Sequence, residues 1–238
     1  MGKELKLKNW ILFEDNDFIV INKPPFLASL DDRASRFNVN RLAKDYWAEA
    51  QMCHRLDKDT SGALLIAKHP EAYKHAAAQF EKRKVDKIYH AVVEGSHEFK
   101  NKIVNAPLIT TGKGKVVVNN RQGKESETSF TSLEVYNRYS LIECKPVTGR
   151  MHQIRVHLAE LNAPIVGDEF YGGELFYLSS IKKKYNLKKD SVENPLIQRF
   201  ALHAFKLSLK GIKGEQYNFE APYPKDFRVL VEQLEKNK

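Results

Sequence analysis

Residues 53–84 read CHRLDKDTSGALLIAKHPEAYKHAAAQFEKRK. Three kinds of segment follow one another here. Cys53 to Gly62 is polar and rich in turn-forming residues. Ala63 to Ala67 is a short, continuously apolar run, suited to a strand. From Pro70 the period changes. Tyr73, Ala76, Ala77 and Phe80 recur at helical spacing, and Pro70 suits a first helical turn. That helix is expected to reach Lys84, with Lys82, Arg83 and Lys84 complementing its dipole. Ile88 to Glu94 follows as a strand, stopped by Gly95.

Working outward, Trp10–Phe13 and Phe18–Ile21 flank Glu14-Asp15-Asn16-Asp17 and predict a β-hairpin. Lys23-Pro24-Pro25 ends its second strand. Residues 31–51 predict a helix on Val39, Leu42, Tyr46 and Trp47. Residues 105–145 read as an antiparallel run with strands at Val116–Val118, Thr128–Val135 and Ser140–Cys144. Val147 to Leu161 returns to helical period, with a stripe of Met151, Ile154, Leu158 and Leu161 and Thr148 as N-cap. Residues 174–198 form a lysine-rich insertion with Lys182, Lys183, Lys184, Lys188 and Lys189. Phe200 to Leu209 alternates as a strand, Ala221 to Phe227 is a proline-containing tail, and a short polar helix closes the chain. This order predicts one compact α+β domain rather than a doubly wound sheet.

Composition excludes several classes. The chain has 238 residues, enough for a core without staples. No apolar run approaches the ~18 residues that span a bilayer, and Met1 to Asn9 lacks a signal-peptide core. Two distant cysteines, Cys53 and Cys144, rule out a disulfide framework or four-cysteine zinc site. A cytoplasmic protein with free thiols is expected. The formal net charge of +9 is the unusual number. It favours polyanionic partners, although charge for solubility alone is the plain alternative.

Motif chemistry narrows the candidates. Gly112-Lys113-Gly114-Lys115 lacks a phosphate-loop pattern and reads as a basic hairpin turn. His152 and His157, five apart, do not match a zinc helix. No Gly-x-Ser-x-Gly elbow exists, and His54 beside Cys53 points the opposite way on an extended segment. Two segments remain. In CHRLDKDTSG, Asp57 sits in a loop with His54 and Arg55, before a buried strand. It is either a presented reactive carboxylate or a cap for the Thr60-Ser61-Gly62 turn. In GRMHQIRVHL (149–158), Arg155 lies at the edge of a buried stripe. It needs an anionic partner, or it snorkels to water.

HRLDKDTSG followed by ALLIAK resembles the signature loop of the RluA family of pseudouridine synthases, in the form without an S4 domain. GRMHQIRVHL followed by APIVGDEFYGG resembles that family's third motif. ILFEDNDFIVINKPP is similar to its first motif, DKIYHAVVEG to its tyrosine motif, and RFALHAFKL with APYPKDF to its C-terminal strand and tail. In KPPFLASLDDR this chain departs from the glycine and histidine usual after the first motif's proline.

The resemblance implies a mixed, largely antiparallel sheet in two halves with flanking helices and the site in the cleft between them. It implies isomerisation of uridine to pseudouridine in transfer RNA, large-subunit (23S-type) ribosomal RNA, or both. By resemblance, Asp57 is the nucleophile, Tyr89 lies against the flipped uracil and acts as a candidate general base, and Arg155 pairs with Asp57. Arg55 holds the target nucleotide out of its stack, Ile154 lines the pocket, and His54 joins the substrate-binding set. The reaction breaks the C1′–N1 bond, turns the base and joins C5 to C1′. Nothing is oxidised, so no cofactor or metal is expected. Attack at C1′, attack on the base ring and a glycal route all remain open. The expected partner is RNA, with no membrane, and the expected state a monomer.

Two other readings stand beside this one. The first is a non-catalytic RNA-binding protein or RNA chaperone on the same scaffold. The second is a glycosidase using Asp57 and Asp59, whose spacing in one loop poorly suits two facing carboxylates.

Overall fold

A computed structural model describes residues 5–31, 37–112, 114–183, 185–186 and 192–238. The chain divides into two compact units, Met1–Ile88 with His203–Pro222, and Tyr89–Leu202 with Tyr223–Lys238.

The first unit is built on β1 (Ile11–Glu14), β2 (Phe18–Lys23), β3 (Gln51–Met52), β4 (Ser61–Ala67), β11 (Leu202–Lys210, from His203 on) and β12 (Gln216–Glu220). β1 and β2 form the expected hairpin, whose turn Asp15 closes by accepting the Asp17 and Phe18 N–H groups. β2 pairs along one edge of β4, while β3 and β11 share the other edge. Pairing is antiparallel except between β4 and β11. Every residue of β4 is buried, as a continuously apolar run requires of a strand with both faces covered. Phe18, Val20, Leu65, Leu207 and Phe219 form the core, with Ala72 and Ala76 of α2 (Pro70–Glu81) packed in. α1 (Val39–Tyr46) presents Val39, Leu42 and Ala43 inward.

In the second unit β5 (Asp86–Glu94, from Tyr89 on) pairs β10 (Tyr139–Pro146), β10 pairs β9 (Glu127–Val135), and β9 pairs β6 (Lys102–Asn105), all antiparallel. β7 (Leu108–Thr110) and β8 (Val116–Val118) make a separate hairpin across the glycine-rich turn. Val92, Phe130, Ile142 and Leu158 share one core with Phe227, Leu230 and Leu234 of α4 (Lys225–Lys236). The α+β class and the mixed, mostly antiparallel pairing therefore stand.

Several boundaries differ from expectation. α2 ends at Glu81 rather than Lys84, because Arg83 turns left-handed at φ +56° and leaves the basic residues outside the helix. α3 is Gln153–Glu160, not 147–161. The Thr148 hydroxyl does not cap it. That hydroxyl donates to Gln153 Oε1 at 2.7 Å, which also accepts the Arg150 N–H at 2.9 Å, so 148–152 stays a turn. α4 is amphipathic, with Phe227, Leu230 and Leu234 buried, where a polar helix was expected. The short strands β3 and β12 carry too few residues for a clear period. Of the insertion lysines, Lys184, Lys188 and Lys189 lie outside the described residues. Among the described residues no helix is long and apolar enough to cross a membrane.

Candidate active site

In the first unit the loop between β3 and β4 carries Asp57. Its entry is tied to β4. Cys53 N–H donates to Leu65 O at 3.2 Å, and Leu65 N–H donates back to His54 Nε2 at 3.0 Å. The His54 ring also packs on Phe80, centroids 4.8 Å apart. Accepting an amide proton requires Nε2 to be unprotonated. Burial, with a smaller contribution from the Lys87 charge, holds the imidazole pKa down to about 3. His54 therefore anchors the loop in neutral form.

The backbone is then clamped on each side of Asp57. Ser29 Oγ donates to Leu56 O at 2.7 Å and accepts Leu56 N–H at 3.0 Å, with both residues buried. On the other side, the ammonium of Lys23 donates to Lys58 O at 3.0 Å. The same nitrogen donates to Pro24 O at 2.9 Å and Leu27 O at 2.8 Å. Lys23 is 0 % exposed, so its three protons meet three carbonyls away from water. Thr60 N–H closes the turn onto Asp57 O at 3.1 Å. Asp57 itself is half-buried, between buried Leu56 and exposed Lys58, and Arg55 is exposed. A reactive group held at its two neighbours loses little freedom on meeting a substrate.

The loop's exit depends on Ser61 and Gly62. Ala221 O can only accept, so His203 Nε2 donates to it at 2.9 Å, and His203 Nδ1 accepts the Ser61 hydroxyl at 2.9 Å. Gly62 has φ +119° where β4 meets β11. A Cβ there would stand 2.2 Å from Ala204 O, so only glycine permits the approach.

In the second unit, Tyr89 lies on β5 opposite Cys144, half-buried against the core. Arg155 of α3 is buried and meets the anion that its position requires. Its Nε and Nη2 donate to Asp168 Oδ2 and Oδ1, each at 2.7 Å. The guanidinium carbon also lies 4.2 Å from the Phe200 ring centroid and 4.8 Å from that of Tyr171. The Tyr171 hydroxyl accepts Val116 N–H at 3.0 Å and is hydrogen-bonded to His152 Nδ1 at 2.8 Å, tying β8 and the start of α3 to the Asp168 turn. Ile154 is in the core, 6 % exposed.

The sequence reading missed Lys23 and Ser29 as loop clamps and Asp168 as a partner of Arg155. Lys23 and Asp168 stood inside quoted motifs, but nothing in their local pattern tells a buried ammonium or carboxylate from a surface one. Neither thiol is set up as a thiolate nucleophile. Burial pushes the Cys53 pKa up to about 12 and raises that of Cys144 well above the ordinary thiol value. His157 is a structural histidine, with ring nitrogens 3.0 Å from Thr128 Oγ1 and 3.1 Å from Ala106 O. Among the described residues no group of three or more His, Cys, Asp or Glu could hold a metal ion.

Comparison with known proteins agrees with the motifs. Residues 17–160 match the family model described as RNA pseudouridylate synthase. Over 179 residues the chain is 37 % identical to ribosomal large subunit pseudouridine synthase C of Vibrio parahaemolyticus, which covers 74 % of this chain and 57 % of that protein. Over an alignment of 246 residues it is 35 % identical to the protein of the same name from Haemophilus influenzae, covering 100 % of this chain and 72 % of that one. The chain thus spans little more than half the length of the Vibrio relative. The solved structure of human RNA pseudouridylate synthase domain containing 4 matches with a TM-score of 0.72 at 24 % identity, covering 96 % of this chain and 94 % of that chain, a likeness of fold. The family model, a relative aligned over the whole of this chain and the motif order agree: this chain belongs to the RNA pseudouridylate synthase family.

Proposed function

We propose that the protein isomerises uridine to pseudouridine in RNA, with Asp57 as the nucleophile. The double clamp on the Asp57 loop, at Leu56 and at Lys58, is the observation that best supports this reading. A capping aspartate needs no such fixation, whereas a nucleophile gains rate from it. Tyr89 is the aromatic that receives the flipped uracil and the candidate general base. Arg155, held by Asp168, is the arginine that the family resemblance assigns to the chemistry. Arg55, exposed on the same loop, helps hold the target nucleotide out of its stack. Ile154 contributes apolar wall, and His54 acts through the loop by fixing its entry.

The names of the relatives favour large-subunit ribosomal RNA over transfer RNA as substrate. The charge of +9 suits phosphate binding, and a cytoplasmic monomer fits this work. The decisive test is tritium release from RNA labelled at uracil C5. Wild type is expected to release it. Asp57→Asn is expected to lose release while still binding RNA. Full activity in Asp57→Asn would overturn the assignment. Binding without release by wild type would favour a non-catalytic RNA-binding protein. Mapping pseudouridines in ribosomal and transfer RNA from a deletion strain identifies the target.

A further inference from the structure

Phe26 is an expensive residue for its place. It follows Pro25 in a turn and has φ +64°. Proline followed by a left-handed residue is a type II turn pattern, in which glycine or asparagine is favoured at the second position. A bulky aromatic there is a steric outlier. Burial does not compensate, because Phe26 is 52 % exposed. Conformational strain without core packing points to a use at the surface.

Its surroundings indicate the use. The carbonyls of Pro24 and Leu27, on either side of this turn, are held by the Lys23 ammonium that also holds Lys58 O. The Phe26 turn and the Asp57 loop are thus fixed to one nitrogen. Arg55 and Lys58 of that loop are exposed cations. An exposed aromatic ring on a turn that shares its anchor with a loop carrying exposed cations provides what single-stranded RNA requires: a face for a base and charge for its phosphates. We propose that Phe26 is a stacking platform for an unpaired nucleobase of the RNA substrate, a binding and specificity contact next to the target uridine. This rests on the isomerase reading above and names a subsite of it.

The test compares wild type, Phe26→Gly and Phe26→Trp on total RNA labelled at uracil C5 and taken from a strain lacking the gene. Filter binding, tritium release and thermal melting are measured together. Phe26→Gly is expected to melt no lower than wild type, and about 2–4 °C higher if the relieved strain is of ordinary size. It is expected to bind RNA on the order of tenfold more weakly, with KM rising in step and kcat nearly kept. Phe26→Trp should retain wild-type affinity. Wild-type affinity and KM in Phe26→Gly, or a clear drop in its melting temperature, would overturn the proposal. If wild type binds RNA but releases no tritium, the isomerase reading falls, and the affinity comparison still decides the role of Phe26.

Discussion

Arg155 and Asp168 meet edge to edge, each nitrogen 2.7 Å from its oxygen, and their side chains keep only 8 % and 1 % of their surface. The pair is bidentate and nearly dry, the arrangement in which arginine and carboxylate bind most strongly. Its value is largely conditional. Both charges have lost their hydration, so each depends on the other.

Asp168→Asn tests this dependence. It keeps the shape but removes the charge and sets an amide donor against a donor. Breaking a buried pair from one side costs about 3–5 kcal/mol. Denaturant unfolding is expected to show a loss near the lower figure, and activity should fall with it. A loss below about 1 kcal/mol would mean that the charge of Arg155 is balanced without Asp168.

Ser29→Ala should separate loop fixation from substrate binding. It removes the partner of both the Leu56 N–H and the Leu56 carbonyl, which are buried. Two such losses cost about 2 kcal/mol in stability. The Asp57 loop would then move more freely, so kcat for tritium release should drop by about tenfold or more while KM holds. An unchanged kcat would show that the clamp serves the fold alone.

The neutral His54 makes stability depend on pH. Its folded pKa is depressed to about 3 by burial, against 6.5 for a free imidazole. Below pH 6.5 the unfolded chain therefore binds a proton that the folded chain refuses. Stability is whole above 6.5 and is lost as pH falls towards 3. By pH 5 the loss reaches about 2 kcal/mol. His54→Gln, whose amide oxygen can still accept the Leu65 N–H, should remove that part of the acid slope. Unfolding free energies at pH 7 and pH 5 for both proteins check it.

Gly62→Ala should be among the most damaging single changes. The added methyl would lie 2.2 Å from Ala204 O, at a φ that alanine rarely adopts. Strand separation or strain of more than about 3 kcal/mol is expected. Normal folding by circular dichroism and an unchanged melting temperature would contradict the tight β4–β11 junction.

Particular elements show how far local sequence reaches. The Phe18–Ile21 and Ala63–Ala67 runs predicted strands, and β2 and β4 lie over them. Pro70 and the Tyr73–Phe80 spacing predicted α2 from its correct first residue. The end of that helix was not readable, because Arg83 turns left-handed without any glycine to announce it. α3 began late because Gln153 spends its amide on the Thr148 hydroxyl and the β9 backbone, a contact that helix capping rules do not foresee. Asp57 was legible as a candidate because polar turn formers preceded a buried strand, and motif resemblance then singled it out.

The sequence by itself determined the alternation of strands and helices and the family, and it singled out the loop 53–62 as the candidate place for chemistry. Those features are local: periodicity, turn chemistry and contiguous motifs act over a few residues. Only the tertiary structure decided what holds the loop still and what answers the buried arginine. Ser29 is 27 residues from Leu56, Lys23 is 35 from Lys58, and Asp168 is 13 from Arg155. A buried polar group is satisfied by whatever the fold brings within about 3 Å, and that distance is set by the packing of the whole unit rather than by neighbours along the chain.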